Sequence, residues 1–365
     1  MINQSKNKFI FQIVMLLNLM LFLAIPTPAI KKEWSASIVP LALLRADWDE
    51  TAPLAYYDGK LYVASRRGII SSVDAQNGTV IWSKKMKRAV PGGLSADESG
   101  VYFGVSDGTF RCLSTEKGEE KWRLTLSSAL FSQPVVSDGT VFFLTGDDIL
   151  YAVDARSGEW KWRYRISTRK DMTILGLPTP LVIEEQVIAG FSNGVLVGFD
   201  KNKGEERWGT RISDYTRFED LDATPARTEG VIFAASYEGG IAAVPMEGGK
   251  PLWKIEGGSY QQLAVSEDYL IYTGRDNKLH AVNIKNGQEI WTAEAPKNAK
   301  LTGPSIFTTK TLCGDSLGNI HIYETATGKK LGGLNVWGGV RVAPLVVGDK
   351  IFVLTGRGAV YRITL

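Results

Sequence analysis

One short motif recurs along almost the whole chain: a glycine followed, four residues later, by a tryptophan. Six copies carry both residues, and a seventh keeps its glycine but has Gly332 in the tryptophan position. Successive motif glycines lie 38 to 46 residues apart, at Gly78, Gly118, Gly158, Gly204, Gly249, Gly287 and Gly328. A repeat of this length indicates one supersecondary unit that is used many times, so the repeat constrains the fold more than any other feature.

Each repeat has room for four short strands. In the third copy, Pro134 precedes a short β-branched run, and an Asp138-Gly139 turn leads into the alternating segment Thr140-Val141-Phe142-Phe143-Leu144. A second turn, a third strand and the Gly-x-x-x-Trp segment complete the unit. Four period-2 strands in about forty residues are typical of a propeller blade. No apolar period of 3.6 residues is sustained after Ala29, so we predict an all-β fold.

The ends of the chain predict how the ring closes. An eighth repeat begins at Pro344 and stops at Leu365, before its fourth strand. The segment Lys31-Lys32-Glu33-Trp34 resembles that missing strand. We therefore expect an eight-bladed β-propeller of four-stranded antiparallel blades, closed by the N-terminal strand, because closure removes an exposed sheet edge. The alternative is seven blades with a loose end.

Residues 1–29 have the pattern of a targeting segment. Lys6 and Lys8 precede an apolar run from Phe9 to Ile25, and the small residue Ala29 follows. This pattern predicts a signal peptide cleaved after Ala29, with an uncleaved membrane anchor as the alternative. Residues 30–365 are then a single exported propeller domain. No cysteine follows the apolar run, so the sequence has no lipobox for lipid attachment.

Composition argues against several classes of function. Lys and Arg number 42 against 39 Asp and Glu, a balance of +3 that gives no broad basic surface for nucleic acid. Two cysteines and two histidines exclude a disulfide framework and a His-rich or Cys-rich metal centre. No catalytic triad order, P-loop or dinucleotide fingerprint is present. We expect no catalytic residue, metal or cofactor, and we interpret the slot shared by His280 and His321 as strand surface.

The recurrent tryptophans invite a cofactor interpretation, but a structural one is favoured. A tryptophan in one slot of every blade can pack its ring between neighbouring blades, with its indole N–H donated to a backbone acceptor. The motif glycine permits the tight turn before the fourth strand. We therefore predict a blade-docking role for Trp34, Trp82, Trp122, Trp162, Trp208, Trp253 and Trp291.

Three connections between blades are longer than the rest; one spans the 19 residues from Trp34 to Pro53, and the other two are neighbours. The spacing from Trp162 to Pro180 is 18 residues and that from Trp208 to Pro225 is 17, against 12 from Trp122 to Pro134. Both connections lead from an outer strand to the next inner strand, so they share one face of the disc. Apolar residues beside mixed charge predict a protein-docking patch on these two connections, which contain Met172, Ile174, Arg217, Asp220 and Asp222. The alternative is that both segments are simply longer solvated loops.

The repeat resembles the PQQ-like propeller superfamily across residues 30–365. Within it, the chain is most similar to the BamB family of outer-membrane β-barrel assembly factors. The similarity lies in the blade opening Asp220-Leu221-Asp222-Ala223-Thr224-Pro225 and in two later segments, Gly314-Asp315-Ser316-Leu317-Gly318-Asn319-Ile320-His321 and Gly358-Ala359-Val360-Tyr361.

The resemblance implies a non-enzymatic scaffold in the periplasm or cell envelope of a Gram-negative-type bacterium, and one that works as a monomer within a larger complex. Its partner would be a BamA-like component, whose periplasmic domains dock on Asp220 and Asp222 and on an apolar loop one blade earlier. Met172 and Ile174 fit the apolar positions of that loop, whereas Leu175 stands where the family has arginine, which removes a bidentate donor. The alternatives are an exported propeller that binds another protein or a small ligand and, with less support, a quinoprotein dehydrogenase.

Overall fold

The computed structural model describes residues 30–38, 50–166, 178–213 and 219–365. Within these ranges the strands form eight four-stranded antiparallel sheets and no helix is present, which confirms the predicted all-β propeller of eight blades. No helix in the same ranges has the length and apolarity that a membrane crossing needs. The predicted signal segment, residues 1–29, lies outside the described residues.

The first strand of the chain is β1 (Lys31–Ser37), which belongs to the last blade. Blades one to four then follow in chain order, each with four consecutive strands. Blade one contains β2 (Ala55–Tyr57), β3 (Lys60–Ala64), β4 (Ile69–Asp74) and β5 (Val80–Lys85); blade two contains β6 (Leu94–Asp97), β7 (Gly100–Val105), β8 (Thr109–Leu113) and β9 (Glu120–Thr125); blade three contains β10 (Val135–Ser137), β11 (Thr140–Thr145), β12 (Ile149–Asp154) and β13 (Trp160–Arg165); and blade four contains β14 (Leu181–Ile183), β15 (Gln186–Gly190), β16 (Val195–Asp200) and β17 (Glu206–Arg211).

Blades five to seven repeat this order, and blade eight takes its fourth strand from the other end of the chain. Blade five contains β18 (Ala226–Thr228), β19 (Val231–Ser236), β20 (Gly240–Pro245) and β21 (Trp253–Ile255); blade six contains β22 (Ala264–Val265), β23 (Tyr269–Thr273), β24 (Lys278–Asn283) and β25 (Glu289–Glu294); blade seven contains β26 (Ser305–Phe307), β27 (Lys310–Gly314), β28 (Asn319–Glu324) and β29 (Lys330–Asn335); and blade eight contains β30 (Leu345–Val347), β31 (Lys350–Leu354), β32 (Ala359–Thr364) and β1.

Closure of the ring occurs as predicted, by pairing of the two chain ends. β1 runs antiparallel to β32, with Lys31 opposite Thr364 and Ser37 opposite Ala359, and a register shift lies between Lys32 and Trp34. β1 is therefore the outer strand of blade eight, and the alternative of seven blades with a loose end is excluded.

The hydrophobic core lies between adjacent blades rather than inside any one of them. The seam between blades three and four shows the arrangement, since Phe142 from one blade and Phe199 from the other both contact the ring of Trp162, with ring centroids 5.8 and 6.3 Å away. Both phenylalanines are fully buried. Burial of such a side chain contributes roughly 1.5–3 kcal/mol, so the seams hold the blades in a fixed ring around the axis.

Each regular seam also contains the same tryptophan contact. The indole Nε1 of Trp162 donates to the backbone oxygen of Lys201 at 2.9 Å, and its ring lies against Gly204 of the next blade. A Cβ on Gly204 would lie 2.4 Å from that ring, and the backbone there has φ of +71°, so only glycine fits. Equivalent indole-to-backbone bonds are made by Trp82, Trp122, Trp253 and Trp291.

Three seams depart from this pattern. Trp208 donates to the side-chain oxygen Oε1 of Gln186, and its ring lies against Gly248 rather than Gly249, the glycine of the sequence motif. Trp34 packs against Gly78, but its Nε1 is buried without a hydrogen-bond partner among the described residues. At Gly332, where the tryptophan is missing, the nearest atom to a built Cβ is Cδ1 of Ile30 at 3.7 Å.

Candidate interaction face and axial cavity

The turns between second and third strands meet the connections between blades on one face of the disc, which we call the loop face. Backbone hydrogen bonds join the two sets, from Met86 to Gly68 at 2.6 Å and from Leu126 to Gly108 at 2.8 Å. Of the two long connections, the described part that follows β17 lies on this face, where the N–H of Ile212 donates to the backbone oxygen of Gly194. Residues 167–177 and 214–218 within them lie outside the described residues, and so do the predicted docking residues Met172, Ile174 and Arg217.

Asp220 and Asp222 are described, and both are buried. Leu221 between them is 2% exposed, its N–H donates to the oxygen of Phe191, and its Cβ lies 2.7 Å from the position of a Cβ on Gly190. Leu221 packs in the seam between blades four and five, so its two neighbours in the chain are also buried. Asp220 is 3% exposed and Asp222 is 6% exposed. The sequence predicts that these carboxylates belong to a docking patch on one face of the disc, whereas the structure buries them; their partner-binding role stays a prediction.

Asp222 is electrostatically unusual. Neither of its carboxylate oxygens has a hydrogen-bond partner among the described residues. Burial raises the pKa of Asp222 to about 8, and the negative charge of Asp220 adds to the effect. An unpaired buried carboxylate is costly, so this side chain holds its proton at neutral pH unless a cation comes to it.

Asp222 lines a cavity of about 220 Å³ on the propeller axis. Two rings of residues form its wall. One ring lies immediately before the first strands of the blades and includes Gln133, Thr179, Thr224 and Gln262. The other lies two residues earlier in the chain and includes Phe131, Asp222, Tyr260 and Arg341. A second cavity of about 370 Å³ shares Gln133 and Gln262 with the first and continues among the inner strands.

Sequence reasoning missed the axial wall. Its first ring occupies a single slot of the repeat, and glutamine stands in that slot twice, at Gln133 and Gln262. Aligning the repeats on their first strands, rather than on the Gly-x-x-x-Trp element, brings out this slot. A long amide side chain that points toward the axis of a ring is a signal for a polar channel.

The remaining titratable candidates are structural. His321 is 3% exposed, not on the strand surface as predicted, because its Nε2 lies 2.8 Å from Oδ2 of the fully buried Asp315. That carboxylate also accepts backbone N–H bonds from Leu317 and Asn319 and so fixes the turn between β27 and β28. Burial raises the pKa of both cysteine thiols, Cys112 and Cys313, to about 12. Across the described part of the chain, no three His, Cys, Asp or Glu side chains form a group that could hold a metal ion.

Comparisons with known proteins agree with this architecture. The family model described as outer membrane protein assembly factor BamB matches residues 66–293 and 275–364. Outer membrane protein assembly factor BamB of Escherichia coli K12 is 31% identical over 327 residues, which cover 85% of this chain and 83% of the relative.

Among solved structures, BamB from Moraxella catarrhalis superposes with a TM-score of 0.80 at 23% identity, over 92% of this chain and 98% of that one. Quinohemoprotein alcohol dehydrogenase from Comamonas testosteroni superposes with a TM-score of 0.69 at 15% identity, over 92% of this chain and 76% of that one. These two likenesses show the fold alone. The family model and the relative's identity over most of the chain show that this protein belongs to the BamB family of outer membrane protein assembly factors.

Proposed function

We propose that this protein is a non-enzymatic scaffold of the periplasm in a Gram-negative-type bacterium, where it assists the assembly of β-barrel proteins into the outer membrane. The observation that carries the proposal is family membership over nearly the whole chain, with the relative covered to 83% of its own length. A protein of this kind acts by holding partners in position, so its function lies in its surfaces.

The loop face is the proposed docking surface. Its two long connections are neighbours, and together they carry an apolar pair, Met172 and Ile174, and a charged group, Arg217, Asp220 and Asp222. We propose that a BamA-like component docks there. The apolar pair would supply the centre of the contact and the charged group its orientation. Asp220 and Asp222 are both buried, so docking on them requires that the loop face opens.

A lack of enzymatic activity is part of the same proposal. The two cysteines lie on different blades, Cys112 in β8 and Cys313 in β27, and both are buried. They cannot form the adjacent pair that quinoprotein dehydrogenases usually carry beside their cofactor. We expect no PQQ- and calcium-dependent dye reduction with alcohols or aldoses; saturable PQQ dependence would contradict the proposal.

The docking surface is tested by capture on the immobilised periplasmic domains of a BamA-like protein. The double variant Asp220→Asn with Asp222→Asn is expected to reduce capture at least tenfold, about 1.4 kcal/mol, without lowering the melting temperature. The matched control is Asp58→Asn with Asp349→Asn, which makes the same pair of substitutions in turns on the opposite face. Met172→Ser with Ile174→Ser tests the apolar centre. Full capture by both loop-face variants would move the docking site elsewhere.

A further inference from the structure

The turns between second and third strands distribute charge unevenly around the loop face. In five blades this turn contains an acidic residue, at Asp107, Asp147, Glu238, Asp276 and Asp315. The turn of blade one instead contains Arg66 and Arg67 and that of blade eight contains Arg357, with no acidic residue in either. The connection from blade one to blade two adds Lys87 and Arg88. We call these five residues the basic patch.

Glu50 joins the two turns that carry the arginines. Its N–H donates to the oxygen of Gly356 in blade eight at 3.0 Å. Its carboxylate accepts bonds from the hydroxyl of Ser65 and from the N–H of Arg66, each at 2.6 Å. The described carboxylate between the turns is therefore buried and already hydrogen-bonded. Residues 39–49 of the same connection lie outside the described residues; by sequence they contain one basic and two acidic residues, which leaves basic residues in excess.

The exposed members of the basic patch have no acidic partner among the described residues. Arg66, Lys87 and Arg88 are exposed, and none of the three forms a salt bridge with a described carboxylate. In blade three, by contrast, Arg165 is paired with Asp147 at 3.0 Å. The positive charge of the patch is therefore available to an anionic surface outside the chain.

Two large apolar side chains lie exposed beside the basic patch. Trp337, on the connection into blade eight, is 55% exposed, and the guanidinium carbon of Arg357 lies 4.2 Å from the centre of its ring. Leu317, in the turn of blade seven, is 53% exposed. The N–H of Val336 donates to the oxygen of Gly318 at 2.7 Å, so this turn and this connection are adjacent. Positive charge and exposed apolar surface thus occur together on this side of the loop face.

We propose that the basic patch, together with Trp337 and Leu317, docks on the surface of a bilayer that contains anionic phospholipids. A layer of anionic headgroups attracts lysine and arginine, and tryptophan favours the boundary between headgroups and acyl chains. Charges spread over two turns and a connection match a surface with many anionic groups better than a single phosphate, which needs donors that converge on one point. The patch lies across the ring from the two long connections, so the inference does not rest on the proposed partner docking.

The test is co-sedimentation of the full-length protein with lipid vesicles. Vesicles of phosphatidylcholine with about 30% phosphatidylglycerol are compared with vesicles of phosphatidylcholine alone. We expect binding to the anionic vesicles to be stronger by about tenfold or more, and to weaken as the salt concentration rises, because salt screens exposed charges. Equal binding to the two kinds of vesicle would overturn the proposal.

A matched pair of double variants assigns the binding to the basic patch. Lys87→Gln with Arg88→Gln should weaken binding to the anionic vesicles by about fivefold or more. The control, Lys117→Gln with Arg156→Gln, removes the same two charges from exposed turns on the opposite face and should bind as the wild type does. Both variants keep the same residues 1–29, so a difference between them belongs to the faces of the disc. Equal binding of the two variants would refute the patch.

The apolar part of the surface is tested by Trp337→Ser. Because the side chain is exposed, we expect an unchanged melting temperature and binding to the anionic vesicles that is weaker by about threefold or more. Unchanged binding would refute insertion of this ring.

An acidic protein surface is the competing occupant of the basic patch. If the wild type does not bind anionic vesicles, but Lys87→Gln with Arg88→Gln reduces capture on the periplasmic domains of a BamA-like protein, the bilayer proposal is overturned. The vesicle assay contains no partner protein, so its failure leaves the docking proposal standing. Loss of partner capture in the Asp220 and Asp222 variant should likewise leave vesicle binding intact.

Discussion

The perimeter of the disc and its axis use polar groups in opposite ways. At the seam between blades three and four, the indole N–H of Trp162 meets the oxygen of Lys201, and its ring occupies the space above Gly204. At the axis, neither carboxylate oxygen of Asp222 has a hydrogen-bond partner among the described residues. The difference teaches where stability is generated: changes at the perimeter should destabilise the ring, whereas some changes at the axis should stabilise it.

The largest effect is expected from removing the strand that closes the perimeter. Deletion of residues 30–37 leaves β32 as an exposed edge and removes the packing of Trp34, which together cost roughly 4 kcal/mol or more. Thermal unfolding followed by circular dichroism should show a lower melting temperature and aggregation. An unchanged melting temperature would mean that the ring is held by its other seams alone.

A smaller loss is expected at a single seam glycine. Gly204→Ala places a Cβ 2.4 Å from the ring of Trp162, whereas Gly139→Ala, at a similar φ of +68°, meets no atom within 4 Å. Both variants bear the left-handed backbone strain of about 1–2 kcal/mol, and only Gly204→Ala adds about 2 kcal/mol for displacing the ring. Urea unfolding compares the free energies of unfolding of the two variants. Equal losses of stability would mean that the seam accommodates the added Cβ without cost.

A substitution at the axis should change the stability of the protein in the opposite direction. Asp222→Asn removes a buried charge and is expected to stabilise the protein by roughly 2 kcal/mol at pH 8. The pKa of Asp222 is about 8 in the folded protein, above its ordinary value of 3.8, so the folded state holds the extra proton between these values. Stability of the wild type should therefore fall as pH rises from about 4 to about 8.

Urea unfolding at pH 4, 6 and 8 checks this prediction. The wild type and Asp222→Asn should have similar stability near pH 4 and diverge toward pH 8, where the variant is the more stable. Parallel curves over this range would show that Asp222 is compensated within the chain, and the contrast between axis and perimeter would then fail at this residue.

The smallest effect separates two tryptophans of the perimeter. Trp162→Phe leaves the oxygen of Lys201 without its donor, whereas Trp34→Phe removes an N–H that has no partner among the described residues. After the common loss of ring area, we expect Trp162→Phe to cost about 1 kcal/mol more than Trp34→Phe. Equal costs in calorimetric unfolding would show that ring packing alone governs the seams.

The blades could be predicted from sequence because the same local sequence pattern recurs from repeat to repeat. A turn glycine, a period-2 strand and a ring-bearing tryptophan recur together, so an error in one copy is corrected by the others. The repeat pattern is wrong by one residue in blade five, where Trp208 packs against Gly248 rather than against the motif glycine Gly249. It also could not place Ile30, which lies over Gly332 only because the chain ends meet.

The axial site depends on contacts between repeats, which local patterns do not contain. Leu221 looks like one exposed apolar residue in a charged loop, but it fills a seam and draws its neighbouring aspartates inward. The prediction that His321 lies on the strand surface is wrong for a similar reason, since its buried partner Asp315 lies in the turn after the preceding strand. In both cases a polar side chain is buried by a contact with a residue that the repeat pattern does not identify as its neighbour.

Blade eight fixes the order in which the molecule can be completed. Its outer strand β1 precedes the other described strands in the chain, whereas its neighbour β32 follows them, and the hydrogen bond that Thr364 donates to Glu33 spans 331 residues. Contacts of such long sequence separation form slowly, because the chain entropy of a very large loop must be overcome first. Seven blades can therefore form before β1 pairs with β32. A chain truncated before β32 cannot close the ring.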